Sequence, residues 1–204
     1  MKNITIALLI GILFISTAFY IKPHGTGTYS ITQSQSIVEW KGEKMTGEHV
    51  GTIKIKDGTL SFDHHLIKSG KITIDMNSIE CTDLEGDSKK NIEDHLKDDD
   101  FFSVKKFPTA TFTITGSSPY QGSEKGFNCQ ITGNLTIKEI ANPISFPANV
   151  SVNGSKLIGS ANVSFDRTKW DIKYKSKSIF PDLGDKFIYD NISMKLNIEA
   201  ELIQ

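Results

Sequence analysis

This chain of 204 residues contains few cysteines and no excess of basic over acidic residues. Its two cysteines, Cys81 and Cys129, are too few for a disulfide scaffold, and their separation in the sequence is not a metal-binding spacing. The formal net charge is −1 at pH 7, so the chain lacks a positive field to hold a phosphate backbone. These absences argue against a disulfide-stabilised miniature fold and against nucleic acid as a partner.

Motifs of catalysis and metal binding are absent as well. The sequence contains no G-x-S-x-G nucleophile elbow and no glycine-rich phosphate loop between a strand and a helix. His64 and His65 are adjacent, and on a strand two neighbours point to opposite faces and cannot easily share one ion. The acidic segment 83–87 does not follow the order of a calcium loop. We therefore expect no enzyme activity, no cofactor and no bound metal.

The two cysteines leave two interpretations open. They lie on separate predicted strands, and an exporting cell could oxidise Cys81 and Cys129 if their Cα atoms came within about 7 Å. Otherwise they are two small, buried, apolar side chains.

The N-terminal segment has the plan of an export signal. Lys2 precedes an apolar run from Ile4 to Ile15, and Ser16-Thr17-Ala18 then supplies small residues for cleavage after Ala18. Residues 1–21 are thus predicted to be a secretory signal peptide or, because the apolar stretch continues to the lower limit for spanning a bilayer, an uncleaved membrane anchor. We expect a polar linker over residues 22–28 and one domain over residues 29–204.

Alternation of apolar and polar residues predicts β-strands along most of this domain. Val38 and Trp40 share one face of a strand, while Glu39 and Lys41 share the other. The same alternation recurs in four longer stretches: 127–137, 144–152, 157–165 and 192–202. Each predicted strand has one apolar face. This all-β pattern indicates a sandwich or a closed barrel, and closure is favoured because it removes exposed strand edges.

Two local signals predict interruptions of the strand pattern. Asp57-Gly58 lies between the alternating stretches 53–55 and 60–62 and predicts the type I′ turn of a hairpin. Apolar residues at helical spacing in the charged stretch 89–107 predict a short amphipathic helix over residues 91–97.

Several longer motifs resemble those of the YceI-like family of bacterial periplasmic or secreted lipid-binding proteins. They are V-x-W at Val38 to Trp40, G-x-I-x-I at Gly51 to Ile55, HLKDDDFFSVKKFPTATF at His95 to Phe112, GNLTIKEIANPISF at Gly133 to Phe146, SFDRTKWDI at Ser164 to Ile172, and Asp190 before the last strand. The block from His95 to Phe112 is the most specific, and the resemblance covers essentially the whole predicted domain. At 139–143 the chain has EIANP where family members commonly have G-x-T-K-P.

The resemblance implies an extended, lipocalin-like, eight-stranded antiparallel β-barrel with a short helical insert. Its lumen would hold a long apolar lipid, such as a polyisoprenoid or an isoprenoid quinone, for carriage, storage or sensing in the periplasm or outside the cell. It implies no catalytic residues. Membrane association through the N-terminal segment and a homodimer both stay open.

The alternative is a solid barrel or sandwich that serves as a protein-interaction or adhesion module. Small residues on the apolar faces favour a cavity over a solid core, because they leave space inside a barrel. They are Gly133, Ala148, Gly159 and Ala161.

The candidate lipid-binding residues come from the apolar faces of the strands, since these faces point into a closed barrel. They are Trp40, Ile53, Phe62, Ile74, Phe112, Leu135, Phe146 and Phe165. Asp166 and Arg167, at the end of a long apolar strand, have two interpretations. They form a structural ion pair at the strand end, or they contact the lipid head group at the mouth of the barrel.

Overall fold

The computed structural model describes residues 25–203, so the predicted signal peptide or anchor over residues 1–21 lies outside the described part. Nine strands and one α-helix occur within residues 25–203: β1 Gly27–Ile31, β2 Ile37–Lys44, β3 Gly47–Asp63, β4 Leu66–Cys81, α1 Gly86–Lys97, β5 Thr109–Pro119, β6 Cys129–Ile137, β7 Ile140–Asn153, β8 Lys156–Asp166 and β9 Ile188–Leu202. Short 3-10 helices span Gln33–Gln35, Arg167–Trp170 and Pro181–Lys186. Among the described residues, no helix is both long enough and apolar enough to cross a membrane.

Strands β2 to β9 form a closed antiparallel barrel of eight strands. Each strand pairs with the next along the chain, and β9 pairs back with β2 to close the ring. This up-and-down order leaves the strands of the ring without unpaired edges, as the alternating pattern predicts. The predicted eight-stranded antiparallel barrel with a short helical insert is therefore confirmed.

Strand β1 extends the position in the barrel wall that β2 occupies. Val38 in β2 pairs with Ile53 of β3 and Leu196 of β9. Tyr29 in β1 pairs with the same two strands nearer the other end of the barrel, opposite Leu60 and Leu202. The short strands β1 and β2 thus lie end to end and together fill one strand position between β3 and β9. Because β1 begins at residue 27, the end of the predicted linker belongs to the barrel.

The predicted turn at Asp57-Gly58 is wrong, because β3 runs through these residues without reversing. The pairing of β3 with β4 shifts register between Ile55 and Asp57, which marks a β-bulge. The extra residue of the bulge changes which residues face inward, from odd-numbered before it to even-numbered after it. Ile55 and Leu60 are therefore both buried. The chain reverses instead at His64-His65, whose φ angles of 47° and 67° suit a type I′ turn.

Helix α1 starts at Gly86, five residues before the predicted range, and ends at Lys97 as predicted. Asp87 lies in its first turn, while His95 and Lys97 lie in its last turn, an order that complements the helix dipole. The helix packs against β4. Its apolar residues Ile92 and Leu96 are half-buried against the barrel.

The barrel interior has two different ends. At the packed end, built around β1, large side chains fill the interior, and Tyr29 and Leu157 are almost completely buried. The Tyr29 ring packs edge-on against the Phe62 ring, with centroids 6.3 Å apart. The opposite end carries the β2–β3 hairpin, the last residues of β4 and helix α1. We call it the cavity end.

Candidate functional site

An apolar cavity of about 220 Å³ occupies the cavity end of the barrel. All eight strands of the ring contribute to its wall, and α1 and the loop after it contribute Leu96, Phe101 and Phe102. Only four polar side chains belong to its lining within the described residues: Glu43, Lys44, His49 and His95. All four come from the β2–β3 hairpin or from α1, so the polar groups gather at one end of an otherwise apolar space.

Seven of the eight predicted lipid-binding residues line this cavity. They are Trp40, Ile53, Ile74, Phe112, Leu135, Phe146 and Phe165. Their contact with a ligand stays a prediction. Phe62 does not line the cavity, and its assignment to the ligand site is corrected: Phe62 is buried at the packed end, where the ring of Tyr29 fills the interior.

Two glycines let aromatic rings lie flat on the inner wall. A Cβ atom at Gly51 would lie 2.5 Å from the ring of Trp40, whose indole N–H donates to the Thr52 carbonyl oxygen at 3.2 Å. A Cβ at Gly133 would lie 2.7 Å from the ring of Phe112. The small residue at 133 therefore does not leave empty space, because a neighbouring ring covers it.

Ala148 and Ala161 are also not part of the cavity wall. They pair with each other on β7 and β8, and both are buried toward the packed end. Small residues on the apolar faces were thus an unreliable guide to the position of the cavity.

An aromatic cap that the sequence patterns did not predict closes part of the cavity end. Phe101 is buried, and its ring centroid lies 5.8 Å from that of Phe102 and 5.3 Å from that of His95. The loop that carries these rings is held by main-chain hydrogen bonds from Ser103 to Asp98 at 2.8 Å and from Val104 to the last turn of α1 at 2.9 Å. Paired phenylalanines beside an amphipathic helix were the available signal.

Arg167 is completely buried and has four acceptors within the protein. Its guanidinium donates to the carbonyl oxygens of Ile172 at 2.8 Å, Ile188 at 3.2 Å and Tyr189 at 3.3 Å, and lies 3.4 Å from the Asp190 carboxylate. Burial lowers the pKa of Arg167, and the nearby carboxylates oppose that shift. Arg167 is not a lining side chain, so its predicted contact with a head group is corrected to a structural role.

Asp166 is not the partner of Arg167 either. Its carboxylate accepts hydrogen bonds from the main-chain N–H of Thr168 at 2.9 Å and from the Thr168 hydroxyl at 2.7 Å. Asp166 therefore caps the 3-10 helix that ends at Trp170. That helix supports the cavity wall, because the buried Trp170 ring packs against Phe165 with centroids 5.1 Å apart.

Both cysteines are buried and free, so the disulfide interpretation does not hold. The Cys129 thiol lies 3.5 Å from the Ala148 carbonyl oxygen toward the packed end. Cys81 ends β4 at the cavity end, where its thiol donates to Asp83 at 3.1 Å.

A family model described as the YceI-like domain matches residues 29–200. The chain belongs to the YceI-like family. Among curated proteins it is similar to Protein YceI of Salmonella arizonae, with 34% identity over 136 residues, which cover 66% of this chain and 65% of that protein. The match thus spans slightly less than two thirds of the length of such relatives.

Solved structures show that the YceI-like fold is shared more widely. BcnA of Burkholderia cenocepacia superposes with a TM-score of 0.66 at 23% identity, covering 83% of this chain and 98% of BcnA. A polyisoprenoid binding domain from Saccharophagus degradans, implicated in plant cell wall breakdown, superposes with a TM-score of 0.63 at 13% identity, covering 86% and 98%. At these identities the similarity establishes the fold.

The departure from the YceI-like pattern at 139–143 falls at the start of β7. The chain turns at Lys138-Glu139, with φ angles of 51° and 62°, and Ile140 pairs directly with Ile137. The amide of Asn142 donates to the Lys169 carbonyl oxygen at 2.9 Å. This stretch therefore ties the β6–β7 hairpin to the 3-10 helix behind Phe165.

Proposed function

We propose that this YceI-like protein binds a long apolar lipid in the cavity of its barrel, without catalysing a reaction. The cavity carries the proposal, because its wall is apolar except for four side chains gathered at one end. The fold that the chain shares with a polyisoprenoid binding domain supports a ligand of that class. A polyisoprenoid or the tail of an isoprenoid quinone has the required chemistry.

The size of the cavity favours a slender chain over a bulky ring system. Its volume of about 220 Å³ lies below the roughly 300–1,000 Å³ of typical small-molecule sites. Each CH₂ group that enters such an apolar wall contributes about 0.8 kcal/mol, so a long tail needs no strong polar contact to bind. The head group would then remain at the cavity end, within reach of Lys44 and His95.

We further propose that residues 1–21 direct the domain out of the cytoplasm, into the periplasm or the medium, where it carries, stores or senses the lipid. Intact mass measurement of the exported protein tests this proposal. A chain that begins after Ala18 supports a cleaved signal peptide. A species that still begins at Met1 in the membrane fraction supports the anchored alternative.

Two measurements test lipid binding. Mass spectrometry of an organic extract of the protein, purified from its own host, should find a stoichiometric long-chain lipid. Titration of the delipidated protein with prenols of increasing length, followed by the fluorescence of Trp40 and Trp170, should give an affinity that rises with length until the cavity is full. No extracted lipid and an affinity independent of length would instead favour the solid interaction module.

A further inference from the structure

Three side chains of different donor types converge beside the cavity, where β3 begins and β4 ends. His49 Nδ1 lies 2.9 Å from one Asp83 oxygen, and the Cys81 thiol lies 3.1 Å from the other. The three donor atoms all lie within 4.8 Å of one another. Across residues 25–203, no other group of three or more histidine, cysteine and acidic side chains converges in this way.

We propose that His49, Cys81 and Asp83 form a binding site for a divalent transition-metal ion of the zinc class. Imidazole nitrogen, thiolate sulfur and carboxylate oxygen are the ligands that zinc combines, whereas calcium and magnesium take oxygen ligands. The fourth position of a tetrahedral site would hold water or an oxygen atom of a bound molecule. The site does not depend on lipid binding.

The separations between the donor atoms suit a tetrahedral ion. Metal–ligand bonds of about 2.0–2.3 Å place neighbouring donors roughly 3.3–3.8 Å apart. The contacts of His49 and Cys81 with Asp83, 2.9 and 3.1 Å, are made to its two different carboxylate oxygens, and both are slightly shorter than this range. Small rotations of the side chains would therefore open the cluster enough to admit an ion.

Neighbouring groups hold the ligands in place. The main-chain N–H of Val50 donates to Asp83 at 3.0 Å, and that of Cys81 donates to the Glu93 carboxylate of α1 at 2.9 Å. The Thr82 N–H donates to the Val50 carbonyl oxygen at 2.9 Å, which joins the two strands at the site. Hydrogen bonds of this kind, made behind the ligand atoms, orient the ligands and raise metal affinity.

Charge and access also suit a cation. The Asp83 and Glu93 carboxylates lie on two sides of Cys81, and Lys89 is shared between Glu93 at 3.8 Å and Glu80 at 2.7 Å. The side chains of His49 and Asp83 are 30% and 28% exposed, so an ion can enter from their side. On binding, a metal–sulfur bond would replace the S–H bond of Cys81, and the proton would leave to solvent.

The same three residue types occur in cysteine hydrolases, but the order of contacts differs here. A nucleophilic cysteine requires the imidazole beside its thiol. In this chain Asp83 lies between the thiol and the His49 ring, and Cys81 is completely buried. The remaining alternative is a structural cluster, in which the three side chains hydrogen-bond to one another and bind no metal.

Cobalt titration distinguishes a metal site from a structural hydrogen-bonded cluster. The full chain, purified without a histidine tag and stripped with chelator, is titrated with Co²⁺ while thiolate-to-cobalt absorption is recorded in the near ultraviolet. We expect one equivalent of Co²⁺ to produce this band and Zn²⁺ to abolish it by displacement. Cys81→Ser should remove the band, and His49→Gln should weaken Co²⁺ binding at least tenfold.

Two matched variants serve as controls. Cys129→Ser removes the other buried thiol, and His64→Ala removes a histidine that also contacts an aspartate, Asp63, at 2.7 Å but has no thiol beside it. Both should bind Co²⁺ as the unmodified chain does. Circular dichroism of each metal-free variant verifies its fold. If Cys81→Ser fails to fold, His49→Gln still tests the site, because His49 is partly exposed and its replacement should disturb the fold less. Absence of stoichiometric Co²⁺ binding, or a band that persists in Cys81→Ser, would overturn the proposal.

Discussion

The ring of Phe112 lies against the backbone of Gly133, so closely that a Cβ atom there would be 2.7 Å from the ring and 2.5 Å from the Thr113 carbonyl oxygen. The first contact is with a side chain that forms the cavity wall. The second is with the main chain of β5. A methyl group at residue 133 therefore has to displace both the wall and a strand.

Gly133→Ala should lower both stability and lipid affinity. Overpacking of this kind commonly destabilises a protein by about 1–3 kcal/mol, and the displaced Phe112 ring would enter the cavity. Urea unfolding and prenol titration measure the two effects. Gly159→Ala is the matched control, because its Cβ would meet no atom closer than 3.9 Å. Equal behaviour of the two variants would show that the Phe112 position is irrelevant to binding.

Phe112→Ala and Phe146→Ala should each weaken binding of a long prenol. The two rings lie 5.6 Å apart on the cavity wall, and loss of one removes several contacts with CH₂ groups of the tail. A loss of roughly 1.4 kcal/mol corresponds to a tenfold increase in Kd. Fluorescence titration gives the Kd of each variant.

Phe62→Leu provides the contrast for this pair. It alters an equally buried aromatic residue, but at the packed end, where Tyr29 covers it. We expect lower stability toward urea and an unchanged Kd for the same prenol. A Kd that rises as much in Phe62→Leu as in Phe112→Ala would contradict the division of the barrel into two ends.

Arg167→Met should destabilise the fold by about 3–5 kcal/mol, the usual effect of removing one partner of a buried charged pair. The substitution leaves the carbonyl oxygen of Ile172 without this donor and removes the cationic partner of Asp190, which keeps its hydrogen bond from Ser178. Thermal unfolding measures the effect. Lys173→Ala, which breaks the exposed contact to Asp171, should change stability by less than about 1 kcal/mol. An Arg167→Met protein as stable as Lys173→Ala would refute the structural role of Arg167.

Stability should depend on pH through Asp190. Burial alone would raise the pKa of Asp190, but hydrogen bonds from Ser178 and Ser176 and the charge of Arg167 hold it below its ordinary value of 3.8. Because the folded pKa is depressed, the ionised carboxylate stabilises the fold above about pH 4, and this contribution is lost as the pH falls through the folded pKa.

Asp190→Asn isolates this contribution. At neutral pH the variant should be less stable than the unmodified chain, and the difference should shrink as the pH falls below about 4 and through the depressed pKa of the folded state. Urea unfolding at a series of pH values provides the comparison. A difference that is constant with pH would mean that the charge of Asp190 contributes nothing.

Alternation along the strands predicted a sandwich or a closed barrel, because residues such as Val38 and Trp40 carry the period of two of a strand with one buried face; the eight-stranded barrel was implied by the resemblance to the YceI-like family. Alternation alone had further limits. It could not separate a turn from a bulge at Asp57-Gly58, since both reverse the parity of the buried face. It also could not tell that Phe62 lies beyond the cavity, because depth along the barrel depends on the position of β1. Alternation identifies the side chains that point into the barrel, but it does not show which of them lie at the packed end and which line the cavity.

Contacts between residues far apart in the sequence could not be predicted either. Adjacency in the sequence suggests Asp166 as the partner of Arg167, whereas its acceptors come from the start of β9 and from Ile172. His49, Cys81 and Asp83 have no metal-binding spacing in the sequence, and only the pairing of β3 with β4 brings them together. Such contacts follow from register, which a single sequence specifies weakly.

The filled end of the barrel gives ligand exchange a direction. Under the proposed function, the side chains around Tyr29 and Leu157 would close the packed end to a lipid, which would then enter from the cavity end with its tail first and leave with its head group first. Every bound lipid would then present its head group to the outside, whatever the identity of its tail. A donor or acceptor of the lipid would therefore meet the head group before any part of the chain, and the length of tail that fits would be measured from the packed end.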